Sequence, residues 1–154
     1  KKILPKKSHK RGRRGGVPMG ERIQCCAEVK KLYQQINRGT GAIGGAIPDA
    51  PLYGELTMAS MQKVLDFLKE ECGLAGEPGK RTSFIDIGSG LGKPTLHAAA
   101  DVSLEHLRCS FGLEINRHRY IMSVMNLESV FATCAWESVH TKSYFLNMDV
   151  YRLD

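Results

Sequence analysis

Phe84-Ile85-Asp86-Ile87-Gly88-Ser89-Gly90-Leu91-Gly92 is the stretch from which the fold can be read. A short apolar run carrying one acid ends in three glycines at alternate positions, the pattern of a buried strand that turns sharply into a helix. Glycine suits such a turn because it takes positive φ without strain, and because a backbone in van der Waals contact with a ligand leaves no room for Cβ. Downstream come a helix from Lys93 to about Asp101, a strand from Cys109 to Glu114, a helix from Arg117 to about Phe131 and a strand from Ser143 to Met148. Strands alternating with helices predict an α/β fold: a parallel sheet, right-handed crossovers and helices on both faces. Ligands of such sheets sit at the carboxyl ends of the strands, where Asp86, Glu114 and Asp149 stand.

Upstream, Thr57 is placed to cap a helix running to Cys72. Leu56, Met61, Val64, Leu65, Leu68 and Cys72 recur at three- and four-residue steps, and Gly73 follows as a stop. An earlier helix is expected from Glu21 to about Asn37, with Cys26, Val29, Leu32, Tyr33 and Ile36 on its apolar face. Between the two, residues 38–51 hold four glycines and two prolines and read as a flexible connection. Residues 1–20 have no apolar period and are expected to be disordered in isolation.

The formal charge of +6 is unevenly spread. Residues 1–38 hold twelve basic and two acidic side chains, so the remainder of the 154-residue chain is net acidic. The run from Lys1 to Arg14 suits a polyanion such as DNA or a nucleosome, or serves as a nuclear import signal; the bland alternative is a solvated linker. It lacks the interleaved aromatics of a base-stacking RNA binder. No apolar run approaches the ~18 residues of a membrane span, and no leader segment is evident. Five cysteines (Cys25, Cys26, Cys72, Cys109 and Cys134) form no C-x-x-C, which points to a reducing, intracellular compartment with the thiols as buried small hydrophobes and no metal site.

Three ligand readings compete for the glycine turn. A Walker A loop needs a glycine where Ile87 stands and Ser or Thr where Pro94 stands, and a dinucleotide fingerprint needs its third glycine at Lys93. The third, D-x-G-x-G-x-G with an acid at the tip of the next strand, fits Asp86, Gly88, Gly90, Gly92 and Glu114, and describes a site for S-adenosylmethionine. Glu114 there would accept the ribose hydroxyls, Asp86 would suit a cationic ligand, and Asp149 would take the adenine amino group. The bland alternative is that these glycines merely make a tight turn.

Leu52-Tyr53-Gly54-Glu55-Leu56-Thr57 resembles the Y-G-E-(T/L)-(S/T) loop of the disruptor-of-telomeric-silencing (DOT) type lysine methyltransferases, the histone methyltransferases without a SET domain. Phe84 to Gly92 is similar to that family's F-x-D-L-G-S-G-x-G, and Phe111-Gly112-Leu113-Glu114 to its Y-G-x-E. The resemblance spans residues 52–154. It implies a Rossmann-like parallel sheet of the class I methyltransferase type, an S-adenosyl-L-methionine cofactor, a nuclear location, and methyl transfer to a lysine of a nucleosomal core histone. It further implies that Tyr53, Gly54, Glu55, Leu56 and Thr57 form a loop over the cofactor's methionine end, that Asp86, Gly88, Ser89, Gly90 and Gly92 wrap that end, that Glu114 holds the ribose, and that Asp149 and Val150 flank adenine. Departures are visible: Leu56 replaces a frequent Thr, Lys93-Pro94 replaces the usual Gln, and Val150 replaces an aromatic stacker. The alternatives are a class I methyltransferase for RNA or a non-histone protein, and a non-catalytic cofactor- or nucleic-acid-binding module.

The expected organisation is a basic arm (1–20), a helix with its linker (21–51), and the N-terminal part of a methyltransferase domain (52–154). Three strands are fewer than the seven the resemblance implies, so the expectation is an incomplete piece of the fold or a pairing that completes the sheet. No catalytic residue is nominated. His97 reads as a structural imidazole, Arg117, His118 and Arg119 as a solvated helix start, and Trp136, Tyr144 and Phe145 as packing residues.

Overall fold

The computed structural model describes residues 23–40, 54–133 and 141–152. The basic arm, most of the Gly/Pro linker, Tyr53, Cys134 and Trp136 lie outside the described residues. Helix α1 (Ala27–Gly39) and helix α2 (Met58–Cys72) precede an alternating series: β1 (Thr82–Ile87), α3 (Lys93–Ala100), β2 (Leu107–Glu114), α4 (Arg117–Phe131) and β3 (Lys142–Asn147). A 3-10 turn, Val150–Arg152, follows. Among the described residues no helix is long and apolar enough to cross a membrane.

Local chemistry sets several boundaries. The Thr57 hydroxyl accepts from the Ser60 amide at 3.1 Å and caps α2, whose other end stops at Gly73 in the left-handed region. Asn116 caps α4 in the same way, its side-chain oxygen accepting from the Arg119 amide at 3.1 Å. The first helix begins at Ala27 rather than Glu21. Residues 23–26 are not helical, although the apolar spacing reaches back through Cys26.

The three strands lie in the order β1-β2-β3, all parallel, with Ile85 opposite Phe111 and Phe111 opposite Tyr144. A strand order advancing in one direction puts both right-handed crossovers on the same side, so α3 and α4 share one face. Among the described residues, then, helices cover one face of the sheet and not both as the sequence led us to expect. On the other face Ile85, Ile87, Tyr144 and Leu146 are 57%, 63%, 44% and 44% exposed, and Phe111 stacks on Tyr144 with ring centroids 5.2 Å apart.

The core sits on the covered face. Helix α3 lies between the sheet and α1, and its Ala98, Ala99 and Ala100 allow close approach; every residue from Lys93 to Ala100 except Pro94 is buried. Val29, Leu32 and Ile36 of α1 pack against Leu96, Ala100 and Val130. A second cluster joins Met61 and Leu65 of α2 to Ala98, Leu104 and Leu107.

Two sequence readings need correction here. Arg119 is buried rather than solvated, because α4 turns Arg119, Ser123, Asn126 and Val130 inward and leaves Ile121 and Met125 largely exposed. The inner face is made polar by design of its contacts: Asn126 donates to the Leu91 carbonyl at 2.9 Å and accepts from the Thr40 hydroxyl at 2.9 Å. Cys25 and Cys109 are buried as expected, but Cys72 is exposed at the last turn of α2.

Candidate functional site

At the carboxyl end of β1 the chain turns through Gly88, Gly90 and Gly92, with φ of 80°, 55° and 81°. The turn is held by backbone bonds to the neighbouring strand: the Gly88 and Ser89 amides donate to the Leu113 carbonyl at 2.8 and 3.0 Å. Glu114, at the tip of β2, is buried and closes the arrangement. Its Oε2 accepts from the Gly90 amide and its Oε1 from the Asn116 amide, each at 2.8 Å.

The glycines have different reasons to be there. A Cβ on Gly88 would meet nothing within 4 Å, so that side of the turn is open to a ligand. A Cβ on Gly92 would come within 2.5 Å of the Phe145 ring, and one on Gly112 within 2.6 Å of it. Those two glycines therefore make room for an aromatic ring of the core as much as for any ligand. Phe145 is a packing residue, as expected, whereas Tyr144 lies on the open face.

Asp86 and Ser89 carry the polarity of the site. Asp86 Oδ2 and Ser89 Oγ are buried without a hydrogen-bond partner among the described residues. Burial pushes the Asp86 carboxyl up to about 6, the negative charge of Glu114 adds to this, and the nearby Thr95 hydroxyl opposes it. A buried, partnerless carboxylate oxygen costs free energy unless something supplies a donor, so Asp86 Oδ2 marks a place for a donating group, whereas the Ser89 hydroxyl can donate or accept.

Both residues line a cavity of about 140 Å³, with Gly54, Glu55 and Leu56 from the loop before α2 and Gly88, Lys93 and Pro94 from the turn and the start of α3. A larger cavity of about 530 Å³ lies along α1 and is lined by Tyr33, Asn37, Thr57 and Met58; Glu55, Leu56 and Lys93 line both. The Lys93 ammonium and Glu55 Oε2 form an ion pair at 2.5 Å between the two cavities.

Of the sequence-predicted site residues, the structure brings Gly54, Glu55, Leu56, Asp86, Gly88 and Ser89 around one cavity, with Glu114 braced behind Gly90. Thr57 lines the larger cavity instead, with its hydroxyl engaged in the α2 cap. Asp149 accepts from the Tyr151 amide at 3.0 Å and pairs with Arg152 at 3.5 Å, shaping the turn that contains Val150. Tyr53 lies outside the described residues. Lys93 stands out in the sequence only as a departure from a motif, because nothing local signals a partner 38 residues away.

His97 is fully buried. Its Nδ1 lies 3.2 Å from the Tyr33 hydroxyl and its Nε2 3.0 Å from Gln62 Oε1, and burial lowers its pKa to about 4. It is a neutral ring joining α1, α2 and α3, as its structural reading anticipated. Among the described residues no three His, Cys, Asp or Glu side chains converge as a metal site would require.

Residues 49–149 match the family model of histone methylation protein DOT1. The chain belongs to that family. The matched stretch includes the Gly54-to-Thr57 loop, the glycine turn, Glu114 and Asp149, so the whole lining of this DOT1-family chain's smaller cavity falls inside it. Among solved structures, a Plasmodium falciparum protein assigned as a protein-L-isoaspartate O-methyltransferase (beta-aspartate methyltransferase), in complex with S-adenosyl-L-homocysteine, is 17% identical with a TM-score of 0.43. The likeness covers 86% of this chain and 60% of that one, so the chain spans less than two thirds of that structure's length. No curated protein sequence matches the chain.

Proposed function

We propose that this DOT1-family chain binds S-adenosylmethionine and takes part in methyl transfer to the side-chain amine of a protein lysine, in a nucleosomal core histone. One observation carries the reading: Asp86, whose buried Oδ2 has no hydrogen-bond partner among the described residues, lines a cavity together with Ser89 and with a glycine whose Cβ direction is empty. Near neutral pH the Asp86 carboxyl is mostly ionised, and the cofactor's ammonium is a donor of matching charge.

The cavity is smaller than the ~300 Å³ or more of a whole-ligand pocket, so it takes the amino-acid end alone. The nucleoside would lie along the open strand ends, with the Glu114 carboxylate beside the ribose and Asp149 and Val150 toward the adenine. Both Glu114 oxygens already accept one backbone N–H, and each keeps a second lone pair for a hydroxyl. When bound, the cofactor supplies an electrophilic methyl group on a sulfonium.

The chain's own contribution is placement. Transfer of this kind is accelerated by holding the amine about 3 Å from the methyl and in line with the bond that breaks. The incoming lysine, with an ordinary pKa of ~10.4, must arrive neutral, and an apolar approach favours loss of its proton by desolvation. Leu56, which lines both cavities, is the apolar side chain at that approach. The arm from Lys1 to Arg14 would add sequence-independent affinity for nucleosomal DNA, and a nuclear site of action follows from that substrate.

Calorimetry with S-adenosylmethionine and S-adenosylhomocysteine tests the cofactor, and absence of binding to both defeats the reading. Tritiated methyl transfer to nucleosomes, free histones and RNA tests the substrate. Labelling of RNA alone would replace the histone with the RNA alternative, and cofactor binding without transfer to any of the three would favour a non-catalytic module.

A further inference from the structure

We propose that Lys93 is a positioning residue for this pocket: its ammonium holds Glu55, and through Glu55 the Gly54-Glu55-Leu56-Thr57 loop, as the wall between the cofactor cavity and the groove along α1. The inference rests on the cofactor reading of the smaller cavity.

Three observations converge on it. The first is placement: Lys93 is the first residue of α3, fixed between Gly92 at φ 81° and Pro94, so its stem departs from the most constrained part of the site. The second is burial. The Lys93 side chain is 8% exposed and that of Glu55 21%, with 2.5 Å between Nζ and Oε2. An ammonium so enclosed is tolerated where it is paired, and Glu55 brings a carboxylate to it, so removing either partner weakens the hold between them.

The third is what else ties the loop down. Gly54, Glu55, Leu56 and Thr57 are all exposed as residues, and the Thr57 hydroxyl bonds back to Ser60 on the loop's own helix. Such a bond shapes the start of α2 without attaching the loop to the sheet. The Lys93–Glu55 pair links the loop to α3 across 38 residues of chain, and both residues line both cavities. The pair therefore sits in the partition itself.

A consequence follows for recognition. Glu55 Oε2 is committed to Lys93, while Asp86 Oδ2 has no partner among the described residues. The ligand's ammonium then falls to Asp86, and Glu55 acts through Lys93 by holding the loop.

The test compares the parent chain with Lys93→Gln, Glu55→Gln and Lys93→Arg. Amide hydrogen exchange at residues 54–57 is followed without cofactor, and S-adenosylhomocysteine affinity is read by calorimetry. Both Gln variants should exchange those amides faster and bind about tenfold more weakly, while Lys93→Arg, which keeps the charge, stays near the parent. Parental exchange in both Gln variants overturns the proposal, and so does a faster loop with parental affinity. Should Lys93→Gln fail to fold, Glu55→Gln decides, since Glu55 lies on the exposed loop. A parent chain that binds no S-adenosylhomocysteine overturns the cofactor reading alone, and the exchange measurement still decides the tether.

Discussion

Glu114 Oε2 accepts a 2.8 Å hydrogen bond from the amide of Gly90, so the acid at the tip of β2 is also the brace of the glycine turn that follows β1. The same carboxylate takes the Asn116 amide at 2.8 Å, just ahead of α4. One buried side chain thus joins the starts of two helices, and any contact it makes to a ribose is made from a position fixed in advance.

Glu114→Ala should lower both stability and cofactor affinity. It leaves two backbone donors unpaired, at about 1–3 kcal/mol each, so urea unfolding should show a loss of about 2–6 kcal/mol. S-adenosylhomocysteine affinity should fall by about 1–3 kcal/mol. Glu114→Gln keeps one acceptor and should lose less on both counts; an unaltered affinity in Glu114→Ala would remove this residue from the site.

Asp86→Asn should separate stability from binding. A carboxyl whose folded pKa is raised to about 6 from 3.8 binds its proton more tightly when folded, so its ionisation destabilises the fold progressively as pH rises through that window. Removing the charge should therefore stabilise the protein at pH 7 by about 1–3 kcal/mol while weakening S-adenosylhomocysteine binding. In the parent, affinity for the cationic ligand should rise with pH through about 6, where Asp86 ionises.

Acid unfolding should expose an opposite slope from His97. Its folded pKa of about 4 lies below the ordinary 6.5, so the unfolded chain takes up a proton that the folded chain refuses. Stability is lost as pH falls from about 6.5 toward 4, by about 1–3 kcal/mol. Asp86 offsets part of this in the parent, so Asp86→Asn should show the steeper loss on acidification. The double variant with His97→Gln should be flatter, as read by urea midpoints across the range.

Gly112→Ala should destabilise by about 1–3 kcal/mol, because the new Cβ would lie 2.6 Å from the Phe145 ring. Trimming the ring in Phe145→Leu should recover part of that loss, which a double-mutant cycle measures. Gly88→Ala meets no neighbour within 4 Å, so its stability cost is confined to positive-φ strain of about 1–2 kcal/mol, and its larger effect should be on S-adenosylhomocysteine affinity.

Much of this architecture is legible in the sequence. The Thr57 cap, the Gly73 stop, the helix over residues 117–131 and the element order all follow from signals within a turn or two of chain. Strand ends were displaced by one or two residues, as at β2, which begins at Leu107 rather than Cys109. The candidate residues around Asp86 are legible because glycines and acids at fixed offsets report a local turn. The inward face of α4 was not legible: its Arg119, Ser123 and Asn126 are polar, and polar spacing carries no hydrophobic period.

Short-range steric and hydrogen-bonding preferences are encoded in neighbouring residues, and these set which segments are strands, which are helices and where the turn with Gly88, Gly90 and Gly92 falls. Register and packing decided the rest. Only the assembled sheet brings Gly112 beneath Phe145, puts Ile85 and Leu146 on the face that α3 and α4 do not cover, and sets Glu55 against Lys93. Such pairings depend on how three strands and their helices dock, which no local spacing records.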